Sequence, residues 1–227
     1  MTTIIGIPWN SKSWTRHFVN QVRIHTKVAH RIFLSDNSDQ ADPITDGSVE
    51  YWWNGGNIGY SKALNVALIR AKPWSDMVVI ANLDIDLQDG WLERLTSEYA
   101  RSDYAVLVPK MNGYVAGQRK EGTGVEELEE IPCLALWLVS WSRVFDVIGM
   151  PDEMDNGAHC TDVELAWKIW KAGRKIGVCR DTSVHHYIAR VASENIGMEM
   201  YKAQVQYSMR ELRTKYGQDI SGRKPKI

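Results

Sequence analysis

The run Met77-Val78-Val79-Ile80-Ala81-Asn82-Leu83-Asp84-Ile85-Asp86 constrains this chain most. Its apolar residues follow one another without the gaps of a helical stripe, which reads as a buried strand. It closes on two carboxylates at i and i+2, and in extended backbone that spacing places both on one side. Neighbouring carboxylates repel unless a cation lies between them. A hard divalent ion such as Mg²⁺ or Mn²⁺ takes one or two carboxylates and completes its shell with phosphate oxygens. Asp84 and Asp86 thus offer a place for such an ion, and the ion a place for a diphosphate. An Asp-x-Asp triplet also closes strands for solubility alone, so the surroundings decide.

Upstream, Thr3 to Pro8, Arg31 to Ser35 and Val49 to Trp53 read as strands, and Trp14, Phe18 and Val22 form one helical stripe. Asn54 to Gly59 must turn, and Tyr60 to Ala71 carries Ala63, Leu64, Ala67, Leu68 and Ala71 on one helix face. Alternating strands and helices predict an α/β fold, a mostly parallel sheet flanked by helices. Ligands of such sheets bind beyond the carboxyl ends of the strands. Asp36-Asn37, Asn57 to Lys62 and Asp84/Asp86 all fall there. Downstream, Asp89 is placed to cap a helix bearing Trp91, Leu92, Leu95 and Tyr99, and Ala105 to Pro109 is a strand. Residues 112–132 read as a polar lid, a binding loop or a disordered segment. A strand 134–140, a short helix 142–148, a polar loop 152–160, a helix 161–172, extended pieces 175–179 and 182–186, a long helix 195–216 and a loose basic tail 221–227 complete the reading. The long helix either packs on the core or pairs with a second copy in a homodimer.

The 227 residues carry 27 Lys and Arg against 28 Asp and Glu, a net charge of −1. That balance gives no electrostatic case for nucleic acid as the main partner. Cys133, Cys160 and Cys179 fit neither a disulfide framework nor a zinc spacing, so the expectation is a reducing, cytoplasmic setting. No apolar run reaches membrane-spanning length. Of the ten tryptophans most should be core, though flat aromatics also stack on sugar rings.

Several residues suit chemistry. Gly55-Gly56-Asn57-Ile58-Gly59 opens a helix, where glycines let amides approach a phosphate and the helix N-terminus favours anions, or simply where a tight turn needs positive φ. Lys62 and Asn65 follow on its first turns; Lys62 could face a phosphate or a base, or stand in solvent. Asp36 can bind ribose hydroxyls or a base amide, or form an Asx turn with Asn37 and Ser38. Thr161-Asp162-Val163-Glu164 has the spacing of a capping box, with Asp162 as first helical residue. The sharper reading makes Asp162 a general base at a cleft. His185 and His186 alternate sides on extended backbone, so one of them could join Asp86 on an ion.

In chain order these pieces resemble the GT-A glycosyltransferases of the family-2 group, which includes bacterial rhamnosyl- and other sugar transferases, over residues 3–187. Ile7-Pro8-Trp9-Asn10 resembles the opening strand and Pro-x-Asn loop, and Leu34-Ser35-Asp36-Asn37-Ser38 resembles "VDNGS". Gly56 to Asn65 resembles "GNxGFAxGxN", and Leu83-Asp84-Ile85-Asp86 resembles "LNPDV". Met150-Pro151-Asp152-Glu153 with Asp162-Val163-Glu164-Leu165 resembles "G-x-FDE … EDVDL", and Val184-His185-His186 the late Val-x-His.

The resemblance implies one GT-A domain over 1–227: a nucleotide-sugar half at 1–87, an acceptor and catalytic half at 88–190, a C-terminal helix at 194–216 and a tail. It implies a metal-dependent, inverting transfer from a nucleotide diphosphate donor, a UDP-sugar, to a hydroxyl of a saccharide or other acceptor. Pro8, Asn10, Asp36, Asn57, Gly59, Lys62 and Asp84 would bind the donor. Asp86, with Asp84 and His186 (or His185), would hold Mn²⁺ or Mg²⁺, and Asp162 would be the base. Trp137 and residues 112–132 are expected on the acceptor side. Three positions depart from the pattern: Thr161, Glu164 and Lys168 stand where the family has Glu, Asp and Arg, and Lys is not equivalent to Arg in bidentate anion binding. A sugar-1-phosphate nucleotidyltransferase or a non-catalytic nucleotide-sugar-binding domain are the other readings. The former would want a Gly-rich, Arg-bearing loop where Pro8-Trp9-Asn10-Ser11 stands.

Overall fold

Met77–Ala81 forms strand β4 and lies inside a sheet that has nine strands among the described residues. The computed structural model describes residues 1–44, 47–113, 115–153, 160–217, 220 and 223–225. On one side of β4 stand β1 (Thr2–Gly6), β2 (His30–Asp36) and β3 (Val49–Trp53), all parallel. On the other side β8 (Leu136–Ser140) is antiparallel to both β4 and β6 (Val106–Met111). Then come β9 (Ile176–His186) and β5 (Ile85–Leu87), with β7 (Val125–Glu127) also on β9.

Helices cover both faces, and the side chains of β4 alternate between them. Val78 and Ile80 join α2 (Tyr60–Ala71) and α6 (Thr161–Lys171) in one core with Trp137, Ile169 and Trp170. Val79 and Ala81 join α1 (Lys12–His25) and α3 (Trp91–Arg101) in the other, with Phe18, Val22 and Trp91. Each such Val, Ile or Leu contributes about 1.5–3 kcal/mol on burial, so the two-sided core dominates the energetics. Gly6 ends β1 where a Cβ would stand 2.9 Å from Leu83 Cδ2, and this close approach brings the end of β4 against β1. Among the described residues no helix is long and apolar enough to cross a membrane, and all three cysteines are free.

Several expectations are revised. The extended pieces at 175–179 and 182–186 are one strand, β9. β6 pairs with it from Ile176 to Val184, across a register shift at Pro109/Lys110, while β7 pairs with Gly177 to Cys179 and β5 with Val184 to His186. Residues 112–132 are not a bare loop: they hold α4 (Ala116–Arg119) and β7, while Tyr114 lies outside the described residues. The segment after β8 begins with a π turn, Trp141–Phe145, before α5 (Asp146–Ile148). The C-terminal helix is two helices, α7 (Arg190–Ile196) and α8 (Met198–Tyr216), broken at Gly197 with φ 77°. Gly90 (φ 69°) precedes α3 as its cap, leaving Asp89 to pair with His25 at 2.6 Å. The polar loop 152–160 falls largely outside the described residues. Of the tail, Arg223 bridges Glu130 and the Lys224 amide donates to the Glu129 carbonyl, so these two are tied down.

Candidate active site

Beyond the carboxyl ends of β1 and β4 lies a cavity of about 390 Å³. Its wall includes Asn82, Asp84 and His186 on one side, Asn37, Asn57 and Tyr60 on another, and Asp162 at the start of α6. Val191, Ala192 and Ile196 of α7 present an apolar surface to it.

The decisive local feature is a bend. β4 ends at Ala81 and β5 begins only at Ile85, so Asp84 sits in the bend and Asp86 in the next strand. The rule that i and i+2 share a side holds within one continuous strand, and here it does not apply. Asp84 is 3 % exposed and lines the cavity. Its Oδ1 lies 3.3 Å from His186 Nε2 and its Oδ2 accepts from the Arg190 amide at 3.0 Å. Burial alone would raise the Asp84 carboxyl, but the bond to His186, the His186 charge and the Arg190 amide outweigh it and hold it below the usual range. Burial lowers His186 in turn, and the Asp84 carboxylate with the Cys133 thiol push it up to about 9. Cys133 Sγ is 3.7 Å from Nδ1 of that ring, and Asn82 Nδ2 is 3.4 Å from Nε2.

Asp86 is elsewhere. Its side chain is 38 % exposed, off the cavity wall, with Oδ1 2.8 Å from His17 Nε2 and Oδ2 accepting from Tyr187 Oη at 2.7 Å. His185 is exposed and packs edge-on against Tyr187. Among the described residues no three His, Cys, Asp or Glu side chains gather as a metal-holding group.

Asp162 is half-buried on the cavity wall, and Oδ1 accepts from the Val163 amide at 2.9 Å. Desolvation pushes its carboxyl up to about 6, against the opposing pull of nearby backbone amides. The helix is not closed by the expected capping box. Cys160 is the cap residue, Thr161 is already helical, and its hydroxyl is 3.0 Å from that of Ser61, joining α6 to α2. Glu164 points inward, 0 % exposed, 2.6 Å from Lys168 Nζ.

Asn57 ties the turn before α2 to the end of β2. It accepts from Asn37 Nδ2 at 2.8 Å and from the Gly59 amide at 3.0 Å, and Gly59 takes φ 89°. Pro8, Asn10 and Asp36 line a second cavity of about 320 Å³, whereas Gly59 and Lys62 line neither. Asp36 is 1 % exposed and internally engaged: it forms the Asx turn with the Ser38 amide at 2.9 Å and accepts from the Tyr51 hydroxyl. Asn10 bonds Asp39 at 2.9 Å. Trp137, expected near the acceptor, is fully buried core, with Nε1 donating to the Cys133 carbonyl at 3.0 Å. Sequence reasoning passed over Asn82, Tyr60, Cys133 and the α7 wall. Asn82-Leu83-Asp84 carries the Asn-x-Asp spacing of "LNPDV" two residues earlier than the alignment given above, which was the available signal.

No family model matches this sequence, and no curated protein matches it. Solved structures do. The crystal structure of GalNAc-T7 with UDP, GalNAc and Mn²⁺ superposes with a TM-score of 0.68 at 15 % identity, over 82 % of this chain and 43 % of that one. The structure of S. aureus TarS gives 0.64 at 15 % identity, over 96 % and 44 %. TarS 1-349 in complex with UDP gives 0.60 at 14 %, over 94 % and 72 %. The chain thus spans less than half the length of the first two. At this identity the likeness is one of fold: a mixed α/β, GT-A-like architecture with a central sheet flanked by helices.

Proposed function

We propose that this protein transfers a sugar from a nucleoside diphosphate donor, a UDP-sugar, to an acceptor hydroxyl, with Asp162 as base and a divalent cation held by Asp84 and His186. The observation that carries the reading is that Asp84, His186 and Asp162, far apart in sequence, line one cavity beyond the carboxyl ends of β1 and β4. Solved neighbours of this fold have been crystallised with UDP, and one with GalNAc and Mn²⁺ as well.

The donor set fits such an ion. One carboxylate, one imidazole and the Asn82 amide supply part of a shell, and hard divalent cations complete theirs with phosphate oxygens and water. No Lys or Arg stands among the described residues that line the cavity, so its own side chains offer a diphosphate little positive charge. The bound cation, Mn²⁺ or Mg²⁺, would offset charge on the departing diphosphate. Asp86 is assigned a supporting role instead, fixing His17 and Tyr187 beside the bend.

Asp162 acts on the acceptor. An unionised hydroxyl attacks poorly, and a carboxylate with its pKa brought up to about 6 takes the proton more readily than an ordinary aspartate while staying ionised at neutral pH. Attack on the face opposite the diphosphate inverts the anomeric carbon. Asn37 and Asn57 hold the turn before α2 against the end of β2, and the apolar α7 wall excludes water.

Calorimetry with UDP, with and without Mn²⁺, and UDP release from a panel of UDP-sugars test the reading. Mn²⁺-dependent UDP binding and donor turnover are expected, with Asp162→Asn abolishing turnover but not UDP binding. Failure to bind UDP in Mn²⁺ overturns it, and turnover unchanged in Asp162→Asn removes the assigned base.

A further inference from the structure

Tyr60 is the first residue of α2; its ring packs against the α2/α6 core and lines the 390 Å³ cavity. Its hydroxyl is screened from solvent and has no hydrogen-bond partner among the described residues. Other buried polar side-chain atoms share that condition, Thr3 Oγ1, Asn65 Oδ1 and Glu164 Oε2 with them, but among the described residues none of these others belongs to the cavity wall. A buried hydroxyl left without a partner carries its full desolvation cost, and native proteins rarely leave one so. A ligand filling the cavity against this ring is the natural source of the missing partner.

Position narrows what the ligand presents. Ser61 and Thr161, the neighbours of Tyr60 and Asp162, meet hydroxyl to hydroxyl at 3.0 Å, so the first turns of α2 and α6 come together at the cavity wall. Burial first, then the charges of Asp162 and Cys133, raise the Tyr60 phenol, so the group stays a donor. Under the proposed function, Asp162 stands where the acceptor oxygen meets the anomeric carbon, while Asp84 and His186 serve the diphosphate. A donor next to Asp162 therefore faces the sugar ring rather than the nucleotide.

Resting on that functional reading, we infer that Tyr60 is a sugar-contacting residue whose hydroxyl donates a hydrogen bond to an oxygen of the transferred sugar. The test is Tyr60→Phe in the full chain, titrated in Mn²⁺ with UDP and with UDP-glucose, UDP-galactose, UDP-N-acetylglucosamine and UDP-N-acetylgalactosamine. The sugar nucleotide that the unsubstituted protein binds most tightly should lose about tenfold or more in affinity, as expected for one buried hydrogen bond. Affinity for UDP alone should stay within about twofold, and the melting temperature should hold or rise, because no bond of the free protein is removed. Equal affinity of the variant for that sugar nucleotide overturns the inference, as does a parallel loss of UDP binding or a lowered melting temperature, either of which marks a structural role. An unsubstituted protein that binds UDP but gains nothing from any of these sugars also overturns it and leaves the UDP site standing. One that binds no UDP in Mn²⁺ overturns the functional reading and this inference together.

Discussion

His186 Nε2 lies 3.3 Å from Asp84 Oδ1 because the antiparallel pairing of β5 with β9 sets Ile85 opposite His186. The bend that precedes β5 brings Asp84 back under the end of β9, and both groups reach the cavity, while Asp86 turns to His17. Two carboxylates two residues apart therefore have separable roles. Asp84→Asn should weaken Mn²⁺-dependent UDP binding by at least about 10–100-fold, the loss seen when only the hydrogen-bond support of a metal ligand is altered. Asp86→Asn should change it by no more than about threefold. The half-exposed pair with His17 is worth only about 0–1 kcal/mol, so its stability cost should also be small. Calorimetry on both variants decides, and the reverse ranking would return the ion to Asp86.

Asp162 gives the pH profile a defined shape. With its carboxyl near 6, kcat/KM should fall about tenfold per pH unit below 6 and level off above, provided the base acts in the free enzyme. The same shift has a stability sign. A carboxyl whose folded pKa is raised binds its proton more tightly when folded, so stability falls as pH rises from the unfolded value near 4 through 6. Asp162→Asn should therefore be more stable than the parent at pH 7.5, by an amount on the order of 2 kcal/mol, while losing transfer. Thermal melts at pH 4.5 and 7.5 on both proteins check this, and a variant less stable at pH 7.5 contradicts it.

How much of this was written in the sequence follows from which interactions are local. The two-faced alternation of β4 and the one-sided stripe of α2 are properties of consecutive residues, and the structure has α2 at Tyr60–Ala71, the bounds its apolar periodicity predicts. The bend at Leu83-Asp84 is not local. It answers to Gly6 packing on Leu83 and to β9 arriving from a hundred residues downstream, so a continuous strand to Asp86 was the natural and mistaken extrapolation. The Thr161/Glu164 capping box failed for a similar reason. Glu164 is drawn inward by Lys168 and by the Asp152 amide, which donates to Oε1 at 2.8 Å, partners that the Thr-x-x-Glu spacing does not reveal.

The Asp84–His186 pair also sets a pH window for the metal-free fold. His186 rises from an ordinary value near 6.5 to about 9, so its contribution is fully present below 6.5 and is lost as pH climbs through 9. Asp84 is held low, so its share is present above about 4. In EDTA, urea unfolding should show the parent losing on the order of 2–3 kcal/mol between pH 6.5 and 9.5 relative to His186→Gln over the same interval. Parallel pH dependence of the two proteins would show that the pair does not stabilise the metal-free state.

Behind the cavity, Lys168 holds together groups that cannot stand without it. Its Nζ is 2.6 Å from the fully buried Glu164 and 3.1 Å from Asp152, and Asp152 is in turn 2.7 Å from Lys215 and accepts from the Tyr216 hydroxyl, so α6 is tied to α8. Glu164 Oε2 has no hydrogen-bond partner among the described residues, and burial keeps the Glu164 carboxyl above its usual range even with Lys168 beside it. Removing one member of a buried pair strands the other, so Lys168→Met should cost about 3–5 kcal/mol at pH 7.5. Part of that loss should return as pH falls toward 5, because the stranded Glu164 can then take up a proton, and stability rises wherever the folded state binds more protons than the unfolded chain. Replacing both, Glu164→Leu with Lys168→Met, removes the uncompensated charge and should recover most of the loss. Chemical denaturation of the single and double variants at pH 5 and 7.5 measures all three effects. A double variant as unstable as the single one would mean that the tie to Asp152 and α8, not the buried pair, supports this part of the fold.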